Sequence, residues 1–137
     1  MRNIREDKGF TYGIHSVVSA KEHDTLFYIG TDVNYAVTEE TINEIKKELE
    51  ILQQEEVGAE ELQTIKNYML GKFLNDIATI FEQSDRYKRI VLHNLPPDHY
   101  TRLVRTIGEI EKHELQTLAQ EHLSFADMRV VVAGRGV

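Results

Sequence analysis

The sequence predicts an α+β fold, an antiparallel or mixed sheet with several helices packed on one face. Three observations carry that expectation. Residues 12–19 and 25–33 alternate apolar and polar side chains and are rich in β-branched and aromatic types, the period-two pattern of half-buried strands. The long middle of the chain instead repeats apolar residues at spacings of three and four, the mark of helices with one buried stripe. Residues 128–133 then form a short, nearly continuous apolar run broken only by Arg129, suited to a strand covered on both faces.

Taken in order, residues 1–8 have helix-forming composition and end at Gly9, where a left-handed C-terminal cap is expected, with Lys8 favourable to the helix dipole. One or two turns cannot nucleate a helix alone. The chain is therefore expected to begin inside a longer helix, with Met1 not the natural start. The two strand-like stretches are joined by the polar segment Lys21-Glu22-His23-Asp24, which predicts an antiparallel hairpin. Gly30 in the second strand marks a bulge or a close backbone approach.

Thr38 is expected to cap the first long helix, with Glu39 and Glu40 in its first turn, Val37 stapled onto Ile42, and a stripe of Ile42, Ile45, Leu49 and Leu52. Gly58 separates it from a second helix striped by Leu62, Ile65, Met69, Phe73, Ile77 and Ile80. A break before Arg86, with Ser84 or Asp85 as cap, leads to Tyr87, Ile90 and Val91. The segment from Asn94 to Pro97 stops helix growth, because the residue before proline is pushed out of helical geometry. Asp98 caps a short helix with Gly108 beyond its end, and a last helix carries Leu115, Leu118 and Leu123.

Three strands are few for so many amphipathic helices, and an uncovered sheet edge exposes unpaired donors and acceptors. The expectation is a domain lacking its first strands, or self-association of the chain through a sheet edge or helix face.

A chain of 137 residues with 41% hydrophobic and 28% charged composition suits one globular domain spanning 1–137. Its net charge of -7 and pI near 5.3 argue against a nucleic-acid partner, since phosphate neutralisation needs clustered Lys and Arg. No stretch has the length and apolarity of a transmembrane segment, and no basic-then-apolar leader is present. Without cysteine there are no disulfides and no thiolate metal sites. The composition assigns no compartment.

The candidate functional residues are Arg5 and Tyr12. A guanidinium is a planar, permanently charged fork of donors for carbonyl or carboxylate oxygens, and a phenol donates one hydrogen bond to an oxygen gaining negative charge. Of the six histidines, His113-Glu114-Leu115-Gln116-Thr117 begins like a zincin motif but has Thr117 at the second ligand position. The segment 118–122 ends like the inverted motif but has Leu118 at its first ligand. His113 is accordingly read as solvated, His122 as structural and His15 as a partly exposed strand residue. The acidic series Glu39, Glu40, Glu44, Glu48, Glu55, Glu56, Glu60 and Glu61 reads as a solvated helix face. Asp76 with Glu82, and Asp24 with Asp32, carry little weight as acid–base pairs. No metal ligands are assigned in this chain, and no serine or cysteine nucleophile stands in a catalytic motif.

The series Arg-Glu-x-x-Gly-Phe-x-Tyr at Arg5 to Tyr12, Thr-x-x-x-Ile from Thr38, Val-Gly-Ala-Glu-Glu-Leu from Val57 and Val-Val-Val-Ala-Gly from Val130 closely resembles the zinc-free homologous domain of M16 metallopeptidases, the family of pitrilysins, insulin-degrading enzymes and mitochondrial processing peptidases. The likeness covers essentially the whole chain, and its most specific element is the Arg5–Tyr12 pair beside Gly9. It implies an M16 half-domain fold and a parent zinc metalloendopeptidase in which a separate His-x-x-Glu-His half, in the same chain or a partner subunit, holds the zinc. Arg5 would then bind the peptide substrate and Tyr12 would bind it and help to stabilise the oxyanion, as positioned donors can. No His-x-x-Glu-His occurs here, so the chain alone is expected to be inactive. The alternative implied by the same likeness is a catalytically inactive structural or peptide-binding subunit.

Overall fold

In the computed structural model, which describes residues 2–21 and 23–134, the chain forms two compact units. One comprises Met1–Ile51 with His122–Val137, the other Leu52–Glu121. The α+β class predicted from the sequence holds: a two-stranded antiparallel sheet is accompanied by several helices.

In the first unit, Arg2–Asp7 forms a wide π-type turn, and Gly9 beyond it takes φ 64°, the left-handed geometry expected of a cap at that position. Strand β1 (Ile14–Ala20) pairs with β2 (Thr25–Thr31) from Ile14 opposite Thr31 to Ala20 opposite Thr25. The pairing is continuous, so Gly30 marks close approach rather than a bulge. The His15 imidazole lies 3.0 Å from where a Cβ on Gly30 would sit. In the connection, the Lys21 amide donates to the Asp24 carbonyl at 2.7 Å, while Glu22 lies outside the described residues.

A short 3-10 turn (Tyr35–Val37), capped by the Asn34 side chain, leads into helix α1 (Thr38–Gln54). The cap thus lies at Asn34, and Thr38 is already helical, because the Asn34 carboxamide accepts the Ala36 amide and starts the turn early. Among the described residues of this unit, Ile4, Ile14 and Leu49 are the buried apolar ones, joined by buried Thr11, Thr41 and Glu44.

The second unit contains α2 (Ala59–Asn75), α3 (Ile80–Leu92), α4 (His99–Glu109) and most of α5 (Lys112–His122). The break before α3 falls at residues 76–79, not before Arg86. Thr79 and Glu82 make a reciprocal capping box there, a stronger start signal than Ser84 or Asp85 provides. Helix α3 ends with Asn94 at φ 48°, where the Asn94 and Leu95 amides return to the Val91 and Ile90 carbonyls. Asparagine tolerates this left-handed position better than most residues, and the carbonyls left over at the helix end are satisfied. Asp98 does precede α4, without a side-chain cap bond, and Gly108 lies inside the helix.

Arg86 pins this unit together. Its guanidinium carbon lies 4.8 Å from the centre of the Phe73 ring and 5.0 Å from that of Tyr100, while its nitrogens reach the Asp76 carboxylate and backbone carbonyl at 3.3 Å. The Gln116 and Gln120 amides both donate to the Gln53 carbonyl, at 3.1 and 2.7 Å, using its two lone pairs.

The apolar run 128–133 corrects the strand prediction: among the described residues it forms no strand. A strand exists through ladder hydrogen bonds to a neighbour, and apolar composition alone does not provide one. Val130, Val131 and Val132 remain substantially exposed, as do Val18 and Leu26 of the hairpin.

Candidate functional site

Arg5 sits in the middle of the one-turn segment that opens the chain, and the residues around it are held while it is not. Ile4 is 3% exposed. The Asn3 carboxamide donates to Glu44 at 2.9 Å and to Glu48 at 2.8 Å, and Lys8 Nζ lies 3.2 Å from Glu40 and 3.3 Å from Glu44. The Lys8 and Phe10 amides close the turn onto the Asn3 and Ile4 carbonyls, both at 3.0 Å. Arg5 itself is exposed and makes no hydrogen bond or ion pair with another described residue.

Glu44 is the centre of this arrangement. Its side chain is buried, and Lys47 at 2.7 Å, followed by the Asn3 amide and Lys8, holds its carboxyl at about 2, well below the usual carboxylate value. Lys8 moves the opposite way: the hydrogen bond to Glu40 above all, with Glu44 adding to it, raises its pKa. The acidic series was therefore misread at Glu44, and half-buried Glu48, which also accepts from Asn3, is only partly solvated. Glu44 is not part of a solvated face, because it follows Thr41 by three residues and precedes Glu48 by four, on a flank of α1 that the N-terminal turn covers. That spacing beside the Ile45 and Leu49 stripe was the available sequence signal.

Tyr12 is presented in a similar way. Thr11, buried at 8% exposure, donates its hydroxyl to the Asp32 carbonyl at 2.8 Å and accepts the Gly13 amide at 3.1 Å; the Thr31 hydroxyl lies 3.0 Å from it. This knot fastens the backbone on both sides of Tyr12 to the end of β2. The Tyr12 side chain is wholly exposed and without a partner among the described residues. Tyr12 precedes β1 rather than opening it, so strand alternation does not govern its direction relative to His15. His15 is exposed, its ring set edge-on to Tyr28 at 6.2 Å between centres.

The remaining chemistry-bearing residues are committed elsewhere or dispersed. Asp76 binds Arg86 and Lys72, and Glu82 completes the capping box. His113 is exposed beside Glu111 at 3.4 Å, and His122 is exposed at the end of α5. Among the described residues no three His, Cys, Asp or Glu side chains gather so as to fit a metal ion. Zinc therefore has no ligand set there. No helix among them is long and apolar enough to cross a membrane.

The model of the peptidase M16 inactive domain family matches residues 1–69, which include Arg5, Gly9 and Tyr12. This chain belongs to that family. The M16 inactive-domain fold is also seen in a solved structure, the peptidase M16 inactive domain from Pseudomonas fluorescens, with a TM-score of 0.80 at 21% identity. That alignment covers 90% of this chain and 29% of the other, so this chain spans less than a third of that relative's length. No curated protein matches the sequence.

Proposed function

We propose that this chain is the zinc-free, substrate-holding part of an M16-type peptidase, lying within a single M16 C-terminal-type domain and working beside a separate His-x-x-Glu-His half. Arg5 holds peptide carbonyl or carboxylate oxygens, and Tyr12 donates to the oxyanion that forms as the peptide bond is attacked. The observation that carries this reading is the pairing of a fastened residue with a free one: buried Ile4 precedes exposed Arg5, and buried Thr11 precedes exposed Tyr12. A backbone fastened beside each donor leaves only the exposed side chain itself to be ordered when it meets an oxygen. Family membership supports the same assignment. Zinc is assigned to the other half, and any self-association of this chain to the open hairpin edges.

The test is made in the assembled peptidase containing both halves. Arg5→Ala and Tyr12→Phe are each expected to lower kcat/KM for an unstructured peptide by about tenfold or more, with the fold intact by circular dichroism. The 137-residue chain alone, supplied with zinc, is expected to cleave nothing. Unchanged kinetics in both variants would instead assign the chain to a structural or peptide-binding role.

A further inference from the structure

Resting on that reading, we infer that Glu44 is the positioning residue for Arg5. The segment that carries Arg5 is a single turn, too short to hold its own shape. Its two flanks are tied to one carboxylate: Asn3 on one side at 2.9 Å and Lys8 on the other at 3.3 Å. Arg5 lies between these two ties, at the middle of the span they close.

The carboxylate is suited to the task by where it sits. Glu44 projects from α1, a helix of 17 residues that buries Thr41 and Leu49, so the reference point belongs to a long element while the turn does not. Its side chain is 6% exposed, which keeps water from competing for the Asn3 and Lys8 bonds. Lys47, also on α1, holds the carboxylate at 2.7 Å. Glu48 repeats the tie to Asn3 at 2.8 Å but does not touch Lys8, so Glu44 alone closes both flanks among the described pairs. Glu44 touches no substrate in this arrangement and acts only through the turn.

Two measurements on the full 137-residue chain decide it. Hydrogen exchange is followed at the Lys8 and Phe10 amides, whose bonds to Asn3 and Ile4 close the turn, and at the hairpin amides as an internal control. Glu44→Ala is expected to speed exchange at Lys8 and Phe10 by roughly tenfold and to leave the hairpin unchanged. Glu44→Gln, which keeps an oxygen for Asn3 but loses the charge facing Lys8, is expected to fall between. Exchange that rises equally everywhere, or nowhere, overturns the inference. Binding of a fluorescein-labelled unstructured peptide, read by anisotropy, supplies the second test. Glu44→Ala and Arg5→Ala are expected to weaken it without adding in the double variant, since both remove the same contact. Additive losses overturn the positioning role. If Arg5→Ala binds as well as the original chain, the substrate-holding reading falls, and the exchange result still decides whether Glu44 orders the turn.

Discussion

Asn3 and Glu44, 41 residues apart in the chain, meet through a 2.9 Å hydrogen bond from a carboxamide to a carboxylate that is almost wholly buried. The contact joins the first turn of the chain to its first long helix. A buried carboxylate is tolerable only when its oxygens are engaged, and here Asn3, Lys8 and Lys47 engage them.

This arrangement gives stability a definite pH dependence. The folded Glu44 carboxyl titrates at about 2, below its ordinary value of 4.5, so its contribution is complete above 4.5 and is lost as pH falls through about 2. Lys8, raised above 10.5, contributes fully below that value and loses its contribution as pH rises through the folded pKa. In urea titrations, Glu44→Gln is expected to flatten the acid limb, and Lys8→Met to flatten the alkaline limb. An acid limb identical in Glu44→Gln and the original chain would remove Glu44 as its source.

Arg86, set against both the Phe73 and the Tyr100 ring, is expected to contribute through both its plane and its charge. Arg86→Ala should cost about 1–2 kcal/mol, from lost cation–ring contacts and lost packing of the side-chain stem. Arg86→Lys should recover only part of this, because an ammonium has no planar face to lay against the rings while also reaching Asp76. Chemical denaturation of the three proteins measures the order; equal stability of the lysine variant and the original chain would show that the plane is irrelevant.

The start of α3 offers a sharp contrast. Thr79→Ala removes one arm of the capping box and should cost about 1 kcal/mol, whereas Ser84→Ala, inside the helix, should not destabilise the chain. A larger loss at Ser84 than at Thr79 would place the helix start wrongly.

Gly9 tests the backbone of the Arg5 segment. No atom lies within 4 Å of a Cβ built there, so Gly9→Ala is free of collision and should cost only what left-handed geometry imposes, about 1–2 kcal/mol. Gly9→Asn should cost less, because asparagine adopts that geometry more readily. Thermal or urea unfolding reads both, and an alanine variant as stable as the original would contradict the left-handed turn.

Much of this protein follows from local pattern. Alternation at residues 12–19 and 25–33 contains the hairpin, since period two leaves no helical solution with a buried face, and Gly9 announces its turn by lacking a Cβ. The Arg5, Gly9 and Tyr12 spacing was legible as a motif within the stretch that the family model also matches. The break before α3 was misplaced because periodicity runs on through Ile77 and Ile80, while the capping box that interrupts it depends on two side chains reaching back to the backbone. The run 128–133 was misread because apolar composition specifies burial, whereas a strand needs a neighbour's hydrogen bonds.

The sequence by itself determined the fold class and the hairpin and put forward Arg5 and Tyr12 as candidates, because these rest on periodicities and residue chemistry spanning a few positions. The helical stripes it marked stay partly uncovered, with Ile65, Met69, Ile80 and Val91 exposed, because covering a stripe needs a neighbouring element. Only the tertiary structure decided that Glu44 is buried and engaged, that Thr11 fastens Tyr12 to the end of β2, and that Arg86 meets both the Phe73 and the Tyr100 ring. Each of these joins residues from different elements, and folding alone brings them within hydrogen-bond or van der Waals reach.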